Sequence, residues 1–201
     1  MSAINRRRML QTIGAATAGA AAAALGSRPA FAALSPPTPN LQYEMYGGHN
    51  FTPRSTFKNG ARRDWAYNDN GSIWSSGDVP DFWLTRMQLP QRARIEDAQW
   101  NVFLGDATAP MRFELLGFDL NNCYAALAIA FLSVPSNQIQ TVSMNKTPFS
   151  EPNPDQPGTF LAWPGLPATI DNSAWNYVLR WGPGATGPNH ILWGVRLGYR
   201  R

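Results

Sequence analysis

A single cysteine, Cys123, in a chain of 201 residues excludes an intrachain disulfide. Its neighbours Tyr124, Ala125, Ala126 and Leu127 bring no basic or imidazole group, so the sequence predicts a buried small hydrophobe, not a reactive thiol. Histidine is almost as scarce. His49 and His190 are the only two, which leaves no His pair at metal-ligand spacing, and no Gly-x-Ser-x-Gly elbow occurs. The residue inventory therefore points to no metal and no cofactor.

Charge is thin, at 15% of residues, and the net excess of +4 is carried by Arg6, Arg7, Arg8 and Arg28, with no acid among the first 32 residues. The remaining 169 residues hold 13 basic and 13 acidic side chains. That balance argues against a nucleic-acid partner, and the Arg62-Arg63 pair reads as a solvated loop. Beyond residue 25 no apolar run approaches the length of a membrane-crossing helix, so the mature protein is expected to be soluble.

The N-terminus has a definite pattern. Asn5-Arg6-Arg7-Arg8-Met9-Leu10 fits the twin-arginine export signal, an alanine-rich apolar stretch follows from Ile13 to Leu25, and Ala30-Phe31-Ala32 places small residues at the −3 and −1 positions of a signal peptidase site. The segment is weakly apolar and short for an anchor, which favours a cleaved leader. The expected organisation is a signal peptide over 1–32, a Pro/Gly-rich arm over 33–60 and one domain over 61–201, delivered to the periplasm or cell exterior after meeting the twin-arginine translocase.

The arm opens Leu34-Ser35-Pro36-Pro37-Thr38-Pro39 and reads as extended or unordered. From Arg62 onward, short alternating segments are broken by turn residues about every ten positions, the pattern of an all-β sandwich. Strands are expected over 72–75, 82–89, 95–104, 111–118, 159–163, 175–181 and 190–199, with 124–132 a strand or irregular crossover despite its alanines. Ala98, Trp100, Val102 and Leu104 share one face, and Met111, Phe113 and Leu115 oppose a wet face bearing Arg112 and Glu114. In the last strand Ile191, Trp193, Val195 and Leu197 form the apolar face. Residues 148–157, with Glu151-Pro152-Asn153-Pro154-Asp155, read as an exposed loop. The predicted architecture is a single antiparallel β-sandwich, jelly-roll-like.

Several motifs lie between 81 and 200: Leu89-Pro90, Ala93 to Val102, Gly105-Asp106, Arg112 to Leu120, Ile170-Asp171-Asn172, Trp175-Asn176-Tyr177-Val178-Leu179, and Leu192-Trp193-Gly194-Val195-Arg196-Leu197-Gly198-Tyr199. Together they resemble an uncharacterised domain family common in exported bacterial proteins. The resemblance implies a β-sandwich, and it implies no activity and no catalytic residues. The insert at 148–157 and the arm depart from the family pattern, so a function special to this chain is expected there. In physical terms, Asp171 and Asn172 are turn residues, Gly194 and Gly198 mark a close approach or a bulge, and Arg196 is expected to pair with Asp171 or Asp119 or to read a ligand carboxylate.

Two motifs fail on context. Gly182-Pro183-Gly184-Ala185-Thr186-Gly187 matches the dinucleotide fingerprint literally, but Pro188 and a strand follow where a helix is needed, so it reads as a hairpin loop. Asn68-Asp69-Asn70-Gly71-Ser72 has the oxygen density of a calcium turn without the distal Glu, and reads as a tight turn. Eight tryptophans remain. Trp100 and Trp193 belong to the core by pattern, whereas Trp65, Tyr67 and Trp74 flank polar loops and are the candidate ligand-binding residues, for a sugar ring or an envelope or extracellular protein. The leading reading is thus an exported, non-enzymatic binding or envelope-structural module. The alternatives are a periplasmic hydrolase built around His190, Asp171 and Arg196, and a self-associating surface module using exposed strand edges. Mass spectrometry of the exported protein should find Ala33 as the first residue, and replacing Arg6 and Arg7 together by lysine should leave the precursor inside the cell.

Overall fold

The computed structural model describes residues 36–53, 57–58, 61–62, 65–67, 70–121, 123–153 and 156–201; the predicted signal segment with Ala30 and Ala32 lies outside them. The strands in chain order are β1 Gln42–Gly47, β2 Thr52–Pro53, β3 Phe57–Lys58, β4 Ala61–Arg62, β5 Trp65–Tyr67, β6 Ile73–Ser75, β7 Trp83–Arg86 and β8 Arg94–Leu104. They continue as β9 Met111–Phe118, β10 Tyr124–Leu132, β11 Gln140–Ser143, β12 Phe149–Pro152, β13 Phe160–Trp163, β14 Ala168–Thr169, β15 Asn176–Gly182 and β16 His190–Arg200. One sheet runs β11-β8-β16-β6-β5, with β1 also paired to β16 and β14 to β8; the other runs β10-β9-β15-β7-β2. Every described pair is antiparallel.

The chain alternates between the sheets as it passes β6, β7, β8 and β9, turns back within the second sheet from β9 to β10, and alternates again through β11, β15 and β16. That is the double Greek-key order of a jelly roll. The inner faces meet in a core where Trp100 of β8 lies 5.1 Å, centroid to centroid, from Phe113 of β9 and 5.8 Å from Phe51. Ala98, Trp100, Val102 and Leu104 are all fully buried, as their period-two spacing requires.

Several features differ from the sequence reading. Part of the arm belongs to the sandwich: β1 pairs with β16 from Gln42 opposite Tyr199 to Gly47 opposite Gly194, and Phe51 is wholly buried. Pro36, Pro37 and Pro39 stand before this strand and do not interrupt it. Next, β16 is bulged between Leu192 and Gly194, so Leu192 joins Val195 and Leu197 inside while Ile191 and Trp193 turn to the outer face, half-buried. A one-residue insertion reverses the alternation. The bulge needs glycine, because a Cβ on Gly194 would stand 2.6 Å from the Tyr46 carbonyl oxygen at a φ of +159°. Cys123 is exposed in the turn before β10, since its flanking apolar residues belong to the strand and it does not. Finally, 183–189 is a crossover between sheets and not a hairpin, because β15 pairs with β7 and β9 while β16 pairs with β8.

The expected wet face of β9 is roofed. Residues 149–152 are not simply loop; β12 pairs with β13 as a separate hairpin lying over the outer face of the second sheet. Trp163, Leu116 and Ile129 form a second small core beneath it, with Leu161, Val178, Phe118 and Tyr124 packed around. Glu114 is fully buried there, accepting hydrogen bonds from Arg112 and Arg180, which it joins in a single ion cluster. The Arg112 fork also grips both carboxylate oxygens of Glu151, and the Trp163 indole donates to Glu151 at 2.9 Å. Burial works against the Glu151 carboxylate, but the Arg112 guanidinium and the indole N–H outweigh it and hold its carboxyl below the usual range. Arg112 itself stands over the rings of Phe131 and Trp163, 5.3 and 5.5 Å from their centroids.

The free edge of β10 is partly occupied. Asn145 exchanges hydrogen bonds with Ile129, its Oδ1 accepting at 2.8 Å and its N–H donating at 2.9 Å, and the Gly165 N–H donates to the Leu127 carbonyl at 2.7 Å. Such caps blunt edge-to-edge pairing. In urea denaturation, Trp100→Ala should lower stability by about 3–5 kcal/mol, whereas Phe160→Ala, at a side chain 72% exposed, should shift it by less than about 0.5 kcal/mol.

Candidate functional site

Trp65 and Tyr67 belong to β5, in register with Ser75 and Ile73, and Trp74 to the neighbouring β6, in register with Ala66. Trp74 is half-buried on the outer face. In the supposed calcium turn, Asn68 and Asp69 lie outside the described residues, and the Asn70 side-chain oxygen accepts from the Ser72 N–H and hydroxyl at 3.1 and 2.9 Å.

The hydrolase grouping does not assemble. His190 is fully buried where β16 begins; its Nδ1 lies 2.5 Å from the Pro183 carbonyl and its Nε2 3.0 Å from Asp106. Thr108, His190 and Asn189 all donate to Asp106, and with Thr108 foremost they hold its carboxyl far below the usual range. Both ring nitrogens of His190 are thus engaged, one by a backbone carbonyl and one by a carboxylate, and no hydroxyl hydrogen-bonds it among the described residues. Asp171 stands at the opposite end of the sandwich, separated by the length of β15. Arg196, six residues along β16 and so roughly 20 Å from His190, is buried against the Tyr43 ring at 4.9 Å and donates to Gln99 at 2.9 Å. It pairs with neither Asp171 nor Asp119 in the way the sequence suggested, because the strand register sets Gln99 directly opposite it.

A different set converges at the other end. After β7, residues 87–90 run into a turn closed by an Ala93 N–H to Pro90 carbonyl bond of 3.0 Å, with Arg92 in the left-handed region at φ 66°. This Leu-Pro turn is laced to the segment before β15: Arg92 N–H donates to the Ile170 carbonyl at 2.9 Å and Ile170 N–H to the Ala93 carbonyl at 2.8 Å. Side chains complete the lacing. Asn172 donates to the Leu89 carbonyl at 2.8 Å, Gln91 donates to Asp171 at 2.8 Å, and the Gln91 amide oxygen accepts from the Asn172 N–H at 2.6 Å. Asp171 also caps its own turn through Ser173, the behaviour expected of Asp in a loop. The Tyr177 hydroxyl accepts from the Asp171 N–H at 2.9 Å, and burial pushes that phenol upward from its usual range.

Between these two latched turns lies an open cleft of about 340 Å³. Met87, Leu89 and Tyr177 form its base, and Trp175 forms one wall. The Trp175 indole packs over β9 at Gly117, where a Cβ would come within 3.3 Å of Trp175 Cε3, so the missing side chain makes room for the ring. The remaining lining is polar and exposed: Arg86, Gln88, Asn172 and Asn176. Arg86 donates to Asn176 Oδ1 at 2.9 Å. The Gln88 amide makes no side-chain hydrogen bond among the described residues, and the Asn176 amide nitrogen makes none either, which leaves donors and an acceptor directed at solvent.

Sequence reasoning gave these residues to the Leu89-Pro90 and Asp171-Asn172 turns and to the strands 82–89 and 175–181, and not to a site. The signal was the amides of 86–91 and the amides and aromatics of 171–177, two short segments 80 or more residues apart that are brought together by the pairing of β15 with β7.

The Ser173 and Gln91 donors hold the Asp171 carboxyl below its usual range, Ser173 contributing most. A depressed carboxylate stabilises the folded state above the unfolded value of about 4 and loses that contribution as pH falls through the folded value. Asp171→Asn should therefore lower the thermal midpoint at pH 7, and its gap from the unaltered protein should narrow progressively below about pH 4. Melting curves of both proteins between pH 2.5 and 7 check this.

No family model matches the chain, and no curated protein matches it. Among solved structures it is similar to the Arthrobacter globiformis T6 isomalto-dextranase complexed with panose, at a TM-score of 0.38 and 14% identity, over 77% of this chain and 23% of that one. The chain thus spans about a quarter of the length of that structure.

Proposed function

We propose that this protein is an exported, non-enzymatic jelly-roll binding module whose Trp175 cleft takes a carbohydrate chain. The observation that carries the reading is the pairing of one half-buried indole with a ring of exposed amides and a guanidinium, on turns already locked by hydrogen bonds. A pyranose has a C–H face that packs on an aromatic ring and an equatorial belt of hydroxyls that both donate and accept. The cleft offers the complement of each. Side chains fixed before binding lose little freedom on contact, so a modest cleft of this kind can hold a flexible polymer. Delivery through the twin-arginine route to the periplasm or exterior, read from Asn5 to Ala32, would place the module among cell-wall and environmental glycans.

The test is a thermal-shift panel of oligosaccharides against the purified protein. A ligand at a hundred times its Kd adds about 2.7 kcal/mol to folding, or about 5–10 °C for a domain of this size. Trp175→Ala should abolish the shift while leaving a cooperative melt. A saturable shift that survives Trp175→Ala would move the site elsewhere on the sandwich, to Trp74 first, and a flat panel on folded protein would reject carbohydrate binding.

A further inference from the structure

Four arginines with described side chains face carboxylates. Arg94 and Arg200 face Glu96, Arg112 faces Glu114 and Glu151, and Arg180 faces Glu114. Arg86, by contrast, meets no carboxylate among the described residues; its one hydrogen-bond partner is the neutral amide oxygen of Asn176. It is exposed at the end of β7, in register with Val178, and it lines the Trp175 cleft. Asp171, in the adjoining turn, does not line the cleft, and its Oδ1 accepts from Gln91 and Ser173. The cleft therefore presents one oriented cation among neutral amides. A single bond through NH2 to Asn176 settles the guanidinium plane and leaves its remaining donors for a ligand.

We infer that the carbohydrate bound in this cleft is acidic, and that Arg86 reads the carboxylate of a uronic acid residue while Trp175 packs against a sugar ring. The inference rests on the carbohydrate reading of the same cleft and adds its charge. A planar carboxylate accepts two parallel N–H bonds from a guanidinium, a match that neither a hydroxyl nor a lysine reproduces. Asn176 would then position the guanidinium, and Gln88 and Asn172 would meet the hydroxyls of the same or the next residue.

Isothermal titration with matched pairs of oligosaccharides tests this, a homo-uronate against its neutral counterpart of equal length and linkage, with a sulfated oligosaccharide as a third arm. The uronate should bind about five- to tenfold more tightly than the neutral sugar in dilute salt, and the preference should shrink as ionic strength rises. Arg86→Gln should erase the preference, bringing the uronate and the neutral sugar to equal affinity, and Arg86→Lys should restore only part of it. Equal affinity for the neutral and acidic sugars, or a uronate preference that persists in Arg86→Gln, would overturn the acidic-ligand inference and leave carbohydrate binding standing. Binding of the sulfated sugar alone would overturn the carboxylate assignment. If none of the three binds folded protein, both readings fail together.

Discussion

Three aromatic rings hold the sandwich together. Trp100 of the first sheet lies between Phe113 of the second sheet and Phe51 of the N-terminal segment, with centroids 5.1 and 5.8 Å away. Each ring comes from a different part of the chain, so the contact forms only when both sheets and the returning N-terminal strand are in place. With no disulfide to tie these parts, buried aromatic area is what closes the fold. The strand alternation of β8 and β9 follows from the same contact: fixing Trp100 and Phe113 inward sends Asn101 and Arg112 outward.

What lies outward on the second sheet is then settled by a second, smaller act of burial. Glu114 and Arg112 would be a solvated pair on an ordinary open sheet. Here the β12–β13 hairpin brings Trp163 and Glu151 over them, and the resulting cluster of two arginines and two glutamates is tied through buried charge-assisted hydrogen bonds. Removing any one partner would leave an unmatched charge beneath the roof, which makes the cluster a device for specifying where the hairpin docks more than a source of net stability. The segment over 149–152 thus has a structural purpose.

The cleft depends on the same economy of order. Two turns that differ greatly in sequence position are stitched by Asn172, Gln91 and Asp171, and this leaves Arg86, Gln88, Asn176 and Trp175 projecting from a rigid rim. Their legibility in the sequence was partial. Leu89-Pro90 and Asp171-Asn172 were readable as turns because Pro, Asp and Asn act on the backbone next to them. That the turns meet was not readable, since it follows from the antiparallel register of β15 on β7, a long-range pairing with no local signature. Trp65, Tyr67 and Trp74 drew attention for the opposite reason: flat rings beside polar loops are conspicuous in a sequence, and all three fall on the paired strands β5 and β6.

The sequence by itself determined the all-β class, the long strands over 95–104 and 111–118, and the inward set of Ala98, Trp100, Val102 and Leu104, because period-two alternation is a local property of the extended chain. It also marked Gly194 as the place where backbone would approach backbone. Only the tertiary structure decided that a bulge there turns Trp193 outward and Leu192 inward, that residues 42–47 complete the sheet along β16, that Glu114 is buried, and that Arg86 stands in a cleft without an acid. Each of these depends on a partner strand or a covering hairpin far away in the chain, and alternation carries no information about which distant segment will arrive.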